Sequence, residues 1–243
     1  MTVDFTFNLI TFILNLIAWV SIGLISFRIY QKKKIKLKAW KVIVVLYIGL
    51  FSFNINWPMF DMVVKIPLLP LGVWILYFFL KRKEGRWETY RSHAWLGFGA
   101  NVIFIATTLL AVPLQHAFYP EKEATTYLSS IENASLLPIH PSATEQKINK
   151  VALEKQLPNM TVEMVYSQDW YEETYMEMES NERNERNERN ERFPYQLTGV
   201  TAKWGSGKSP VIYIESDGKG LLIKTKEKEI YFRSADSFLE EVN

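Results

Sequence analysis

The chain has 243 residues, 48% of them hydrophobic, with a formal net charge of +2 and no cysteine. Without thiols it has no disulfide staples, thiol nucleophile or thiolate metal site. The three histidines (His93, His116 and His140) are too scattered for a histidine-based metal centre.

The averages conceal a split near Leu114. Residues 1–114 hold 13 basic and 4 acidic residues, a net of +9, whereas residues 115–243 hold 15 basic and 22 acidic, a net of −7. Such asymmetry places the halves in different surroundings: a membrane unit, then an acidic, water-soluble one.

The first apolar run, residues 5–27, carries no charge over 23 residues. At 1.5 Å per residue it reaches about 34 Å, enough for a hydrocarbon core of roughly 30 Å. No basic segment precedes it and it exceeds a signal-peptide core, so it reads as a retained span. Residues 40–57 predict a second span bracketed by Trp40 and Trp57, residues that suit interfacial belts, with Lys41 able to snorkel. Residues 62–80 predict a third, with Lys65 snorkelling and Pro67 and Pro70 in its first turns. Residues 94–114, uncharged throughout, predict a fourth.

Orientation follows from the connecting segments. Arg28, Lys32, Lys33, Lys34, Lys36, Lys38 and Lys41 lie between the first two runs, and Lys81, Arg82, Lys83, Arg86 and Arg91 between the last two. The positive-inside rule puts both in the cytoplasm and both termini outside. The 28–41 stretch reads as a topology determinant against anionic headgroups, not as a nucleic-acid patch.

The span interiors carry none of the ionisable groups that pumps and channels use. Asn8 and Asn15, seven apart, Asn54 and Asn56, and Asn101 with Thr107 and Thr108 read as interhelical hydrogen-bonding groups. Gly97, Gly99 and Ala100 predict close helix packing.

Residues 115–141 read as a tether with an apolar patch at Leu136 and Leu137. Residues 142–157 predict a helix capped by Ser142 or Thr144, with Ile148, Val151, Ala152 and Lys155 on one face and Leu157 closing it. Residues 160–166 alternate as a strand does. Residues 195–204, 211–215, 220–226 and 228–233 are strand-like, with Asp217-Gly218 a hairpin-turn signal, and residues 236–242 predict a terminal helix. The 142–243 domain is therefore α+β with an antiparallel sheet of four to six strands, large enough for its own core. Residues 173–179 predict a strand, and the four Asn-Glu-Arg copies at 181–192 a solvated low-complexity spacer at a hairpin tip. Deleting 184–192 is expected to leave folding intact.

Ala202-Lys203-Trp204-Gly205-Ser206-Gly207-Lys208-Ser209 fits a relaxed phosphate-loop string. A phosphate loop joins a strand to a helix, and here Pro210 and a strand pattern follow. The expectation is a turn with Lys208 in solvent and no nucleotide bound. The acidic pairs Glu172/Glu173 and Glu240/Glu241 read as solvated charge, and the sequons at Asn133 and Asn159 as short chance matches.

No catalytic, cofactor-binding or metal-binding residue is nominated and no cofactor is expected. The sequence points to a non-enzymatic, multi-pass cell-membrane protein whose partners are the bilayer and a protein or envelope component on the outer domain. The alternative is a small-solute transporter or an accessory subunit of a membrane complex.

Overall fold

In the computed structural model, residues 7–33, 38–59, 62–165, 191–226 and 228–241 are described. The chain divides into two compact units, one built on 9–117 and the other on 118–243 together with the first eight residues. Two helices, Leu9–Gln31 (α1) and Arg86–Phe118 (α4), are long and apolar enough to cross a membrane.

In the first unit α1 ends three residues after Arg28 and exposes apolar side chains such as Phe12, Leu16 and Val20. Residues 40–57 do not form one span. Helix α2, Ala39–Gly49, stops after 11 residues, and the chain continues as strand β1, Phe53–Met59. Residues 62–80 likewise split into strand β2, Met62–Leu69, and helix α3, Leu71–Leu80, of 10 residues. β1 and β2 pair as an antiparallel hairpin, with Trp57 opposite Val64. Among its described residues the first half thus holds two long apolar helices, two short ones and a hairpin, not a four-helix bundle.

The physical reason lies in the period. Phe53, Ile55, Trp57 and Met59 alternate with Asn54, Asn56 and Pro58. That period of two suits a pleated strand, whereas a helix would scatter the asparagines around its circumference. Counting apolar residues alone hides the difference. Pro67 is tolerated because the hairpin has only edge strands.

Three of the helices meet through small residues. A Cβ at Gly97 would lie 2.3 Å from the Leu46 carbonyl oxygen and 2.9 Å from the Gly49 Cα, and one at Gly72 would lie 1.7 Å from the Ile48 oxygen. Gly97 and the fully buried Ala100 are packing residues as their composition suggests; Gly99 faces open space. Asn101 Nδ2 donates to the Leu50 carbonyl at 3.1 Å, so the end of α2 is capped from α4. Gly72 N–H donates to the Phe51 carbonyl at 2.7 Å, closing the break between α2 and α3. Ile22 of α1 packs with Leu46 and Ala100, and the Trp19 ring meets Tyr47 and Phe104. Thr107 and Thr108 bond back to Phe104 within α4. Asn15 is exposed, and Asn8 lies ahead of α1 in a bridge to Ser206, so the two asparagines share no helical face.

The second unit begins with a 3-10 turn, Ala124–Thr126, and strand β3, Ser135–Pro138. Of residues 115–141, read as a tether, the first continue α4 to Phe118 and the rest are integral to this unit: Tyr127, Leu128, Ile131 and Ala134 belong to the core. Strand β4, Gln146–Ile148, precedes a short helix α5, Lys150–Gln156. The helix starts late because the Tyr195 hydroxyl bonds the Thr144 N–H, hydroxyl and carbonyl, holding that residue out of a helix. Asn149 provides the cap instead, its side chain accepting from Ala152 N–H at 2.8 Å. Of the expected face, Ile148, Ala152 and Leu157 pack on the core beside the buried Leu153, whereas Val151 is 78% exposed.

Strands β5 (Thr161–Glu163), β6 (Tyr195–Thr198), β7 (Val211–Ile214), β8 (Gly220–Lys224) and β9 (Glu229–Arg233) follow. With β3 they form a six-stranded sheet in the order β3-β6-β7-β8-β9-β5, every described pair antiparallel. Asp217-Gly218 turns β7 into β8, Gly218 adopting φ 70°. The expected terminal helix is strand β10, Leu239–Glu241, paired with β4. Phe238 is fully buried and its backbone bonds Gly218 and Asn149, anchoring an extended chain where a helix of seven residues has little stability of its own. The 173–179 strand and most of the 181–192 repeat lie outside the described residues; Glu191 and Arg192 lie within them.

Candidate functional site

Strand β7 places Glu215 just past its end, 5% exposed, and the sheet surrounds it with cations. Arg192 Nε donates at 2.8 Å and Arg233 Nη1 at 2.5 Å; the Tyr231 hydroxyl also donates to Glu215. Arg233 Nη2 reaches Asp217 at 2.5 Å. The Arg192 guanidinium sits 5.3 Å from the Phe193 ring centre and 5.2 Å from that of Tyr231. Gly220 is required here, since a Cβ would lie 2.0 Å from Glu215 Oε2.

Arg192 is the last residue of the Asn-Glu-Arg repeat, and burial corrects its reading as spacer. Deleting 184–192 removes a core ion pair. The sequence gives one signal for this: the repeat runs directly into Phe193-Pro194, an aromatic in a polar tract. Nothing in sequence spacing links Arg192 to Glu215.

Burial and the bond to Glu215 push the Tyr231 phenol up to about 12 from its ordinary 10.0, against the opposing effect of Arg233. A phenol raised on folding contributes stability that is complete below pH 10 and lost as pH rises through its folded value. Domain stability should therefore fall between pH 10 and 12, and Tyr231→Phe should flatten that slope in pH-dependent urea unfolding.

The phosphate-loop-like string lies between β6 and β7. Gly205 and Gly207 both adopt positive φ, 75° and 69°, and β7 follows, so the segment joins strand to strand. Lys208 is not in solvent, as the sequence suggests. Its side chain is 14% exposed, 3.3 Å from Glu121 and 5.2 Å from the Tyr127 ring centre. Lys228 also pairs with Glu121. Burial disfavours the Glu121 carboxylate, but the Lys228 bond and the Lys208 charge outweigh it and hold its carboxyl below the usual range. Lys208→Ala should then destabilise the domain by about 1–2 kcal/mol, more than a surface lysine would. Calorimetric titration with ATP and Mg²⁺ should give no saturable heat for either protein.

The remaining named residues are dispersed. His93 is fully buried in α4; His116 is exposed; His140 Nδ1 lies 2.9 Å from Ser142 Oγ. Glu240 and Glu241 are exposed on β10, Glu240 accepting from Asn149. Among the described residues no group of three or more histidines or carboxylates is placed to hold a metal. Glu172 and Glu173 lie outside the described residues.

Two clefts remain. One of about 520 Å³ in the second unit is lined by Ser129, Ser130, Glu132, Lys150, Glu154 and Lys203 with Leu128 and Leu157. Its polar walls carry both charge signs over an apolar floor. The other, about 300 Å³ in the first unit, is lined by Asn54, Lys65, Asn101 and Thr108 among apolar side chains. No family model, curated protein or solved structure matches the chain.

Proposed function

We propose that the chain is a multi-pass membrane protein whose C-terminal domain stands outside the cytoplasm as a non-enzymatic binding, sensing or scaffold module. The observation that carries this reading is the Lys33 Nζ bond to the Glu88 carbonyl at 3.2 Å. It brings the two basic segments, 28–41 and 81–91, to one end of the helical unit, the end that the positive-inside rule assigns to the cytoplasm.

α1 and α4 then cross in opposite directions, and both termini emerge opposite the basic end. Only 11% of the most apolar window of α1 and 22% of that of α4 is buried, which suits helices facing lipid rather than helices of a soluble core. Packing of Ile22 and Trp19 against α2 and α4 supports α1 as a permanent member of the unit. The segment from α2 to α3 leaves the basic end and returns to it, so the sides of the termini do not depend on how deeply it penetrates. Open strand edges are not tolerated against lipid tails, so the β1–β2 hairpin lies at the outer interface or against protein or water.

The 520 Å³ cleft is the binding surface this reading assigns to the outer domain, fitting a peptide or polymer bearing both hydrogen-bonding and apolar groups. A photo-crosslinking residue replacing Glu154 in intact membranes should give a discrete adduct that Ser129→Trp abolishes. The Asn54–Lys65–Asn101 cleft favours the transporter alternative, and solute uptake by proteoliposomes that Asn101→Leu eliminates would replace the binding reading with it.

A further inference from the structure

Lys203-Trp204-Gly205-Ser206-Gly207 has a surface that the fold of its own domain does not use. Trp204 is 73% exposed, with its ring 5.9 Å from that of Phe7, itself 43% exposed; Phe118 is 61% exposed. Phe7 stands two residues before the start of α1, and Phe118 is the last residue of α4. The loop is tied to both places. Ser206 bridges Asn8, the Tyr119 hydroxyl donates to the Trp204 carbonyl at 3.0 Å, and Lys203 Nζ donates to the Phe118 carbonyl at 3.1 Å. Positive φ at Gly205 and Gly207 lets the loop turn this tightly, and a Cβ at Gly207 would press on Asn8 at 3.1 Å.

We infer that this loop, with Phe7 and Phe118, is an anchor that inserts into the headgroup–acyl boundary of the outer leaflet and fixes the C-terminal domain on the bilayer surface. The inference rests on the membrane reading proposed above. Its occupant follows from chain continuity: Phe7 lies near the start of the uncharged run 5–27 and Phe118 lies four residues past the uncharged run 94–114, so both stand near the level where those runs leave the hydrocarbon. Indole and phenyl rings beside tyrosine and lysine are the side chains that settle there, their apolar bodies in the acyl boundary and their polar tips in water. Left in water, the paired Trp204 and Phe7 rings and the exposed Phe118 side chain would be uncovered apolar surface. The string resembling a phosphate loop then serves the bilayer through Trp204, while its lysine is held inward by Glu121.

The chain has no cysteine, so single-cysteine variants carry one spin label each. Full-length Trp204→Cys, Phe7→Cys, Leu16→Cys and Val151→Cys would be labelled in nanodiscs of zwitterionic and anionic phosphatidyl lipids. Collisional accessibility to oxygen and to a water-soluble nickel chelate reads the depth of each. Leu16 should report hydrocarbon and Val151 water, with positions 204 and 7 between them, oxygen access raised and nickel access lowered several-fold against Val151. Phe7→Cys retains Trp204 and tests the site if Trp204→Cys misfolds. Leu16 in hydrocarbon with both loop positions as aqueous as Val151 overturns the anchor and leaves the membrane reading standing. Loop positions screened from both reagents overturn it in favour of a protein contact. An aqueous Leu16 removes both.

Discussion

Glu215→Ala is expected to destabilise the C-terminal domain by about 3 kcal/mol, because it leaves the buried Arg192 guanidinium and the buried Tyr231 phenol without their common acceptor. Arg192 is 8% exposed and cannot turn to water without disturbing the sheet end, whereas Arg233, 31% exposed, keeps its bond to Asp217. A single domain has about 5–15 kcal/mol in total, so this one change should consume a large share of it. Urea unfolding of the full chain in detergent, followed by tyrosine and tryptophan absorbance, measures the loss. Glu215→Gln should cost less, since the amide oxygen still accepts one bond. Arg192→Met in the Glu215→Ala background should cost far less than Arg192→Met alone, as expected for one network. Parent-like stability of Glu215→Ala would show that the cluster is solvated in solution.

The second large effect separates two glycines two residues apart. Gly97→Leu should cost the helical unit about 3 kcal/mol, because the new side chain meets the Leu46 carbonyl and the Gly49 backbone, which cannot rotate away. Gly99→Leu should be tolerated, as its Cβ meets nothing within 4 Å. Thermal loss of the monodisperse peak on size exclusion reports both. Equal tolerance of the two leucines would mean that α2 and α4 do not pack through Gly97.

Which parts were legible in the sequence follows from how local the signals are. The uncharged runs behind α1 and α4 are local and long, so the two membrane-length helices stand out. Asp217-Gly218 between two alternating runs marks the β7–β8 hairpin for the same reason. The β1–β2 hairpin was also written locally, in the alternation from Phe53 to Met59, but apolar composition masked it. Other features depend on residues far apart. Tyr195 decides that Thr144 stays extended, Phe238 decides that the chain end pairs with β4, and Glu215 decides that Arg192 is core. No spacing rule anticipates such contacts. The Trp204 loop is visible as a motif but misleads as one, because the anchor proposed for it depends on Phe7 and Phe118, far away in sequence.

The most direct test of the account is the side of the membrane on which the two ends of the protein lie. Gly85→Cys, in the second basic segment, and Val151→Cys, in the C-terminal domain, are each exposed and sit in an otherwise cysteine-free chain. Cells stripped of any outer envelope would be treated with a membrane-impermeant maleimide before and after permeabilisation. Val151→Cys should react fully in intact cells and Gly85→Cys only after permeabilisation. Reaction of Gly85→Cys with Val151→Cys protected would reverse the orientation, and equal reaction of both in intact cells would contradict membrane insertion through α1 and α4.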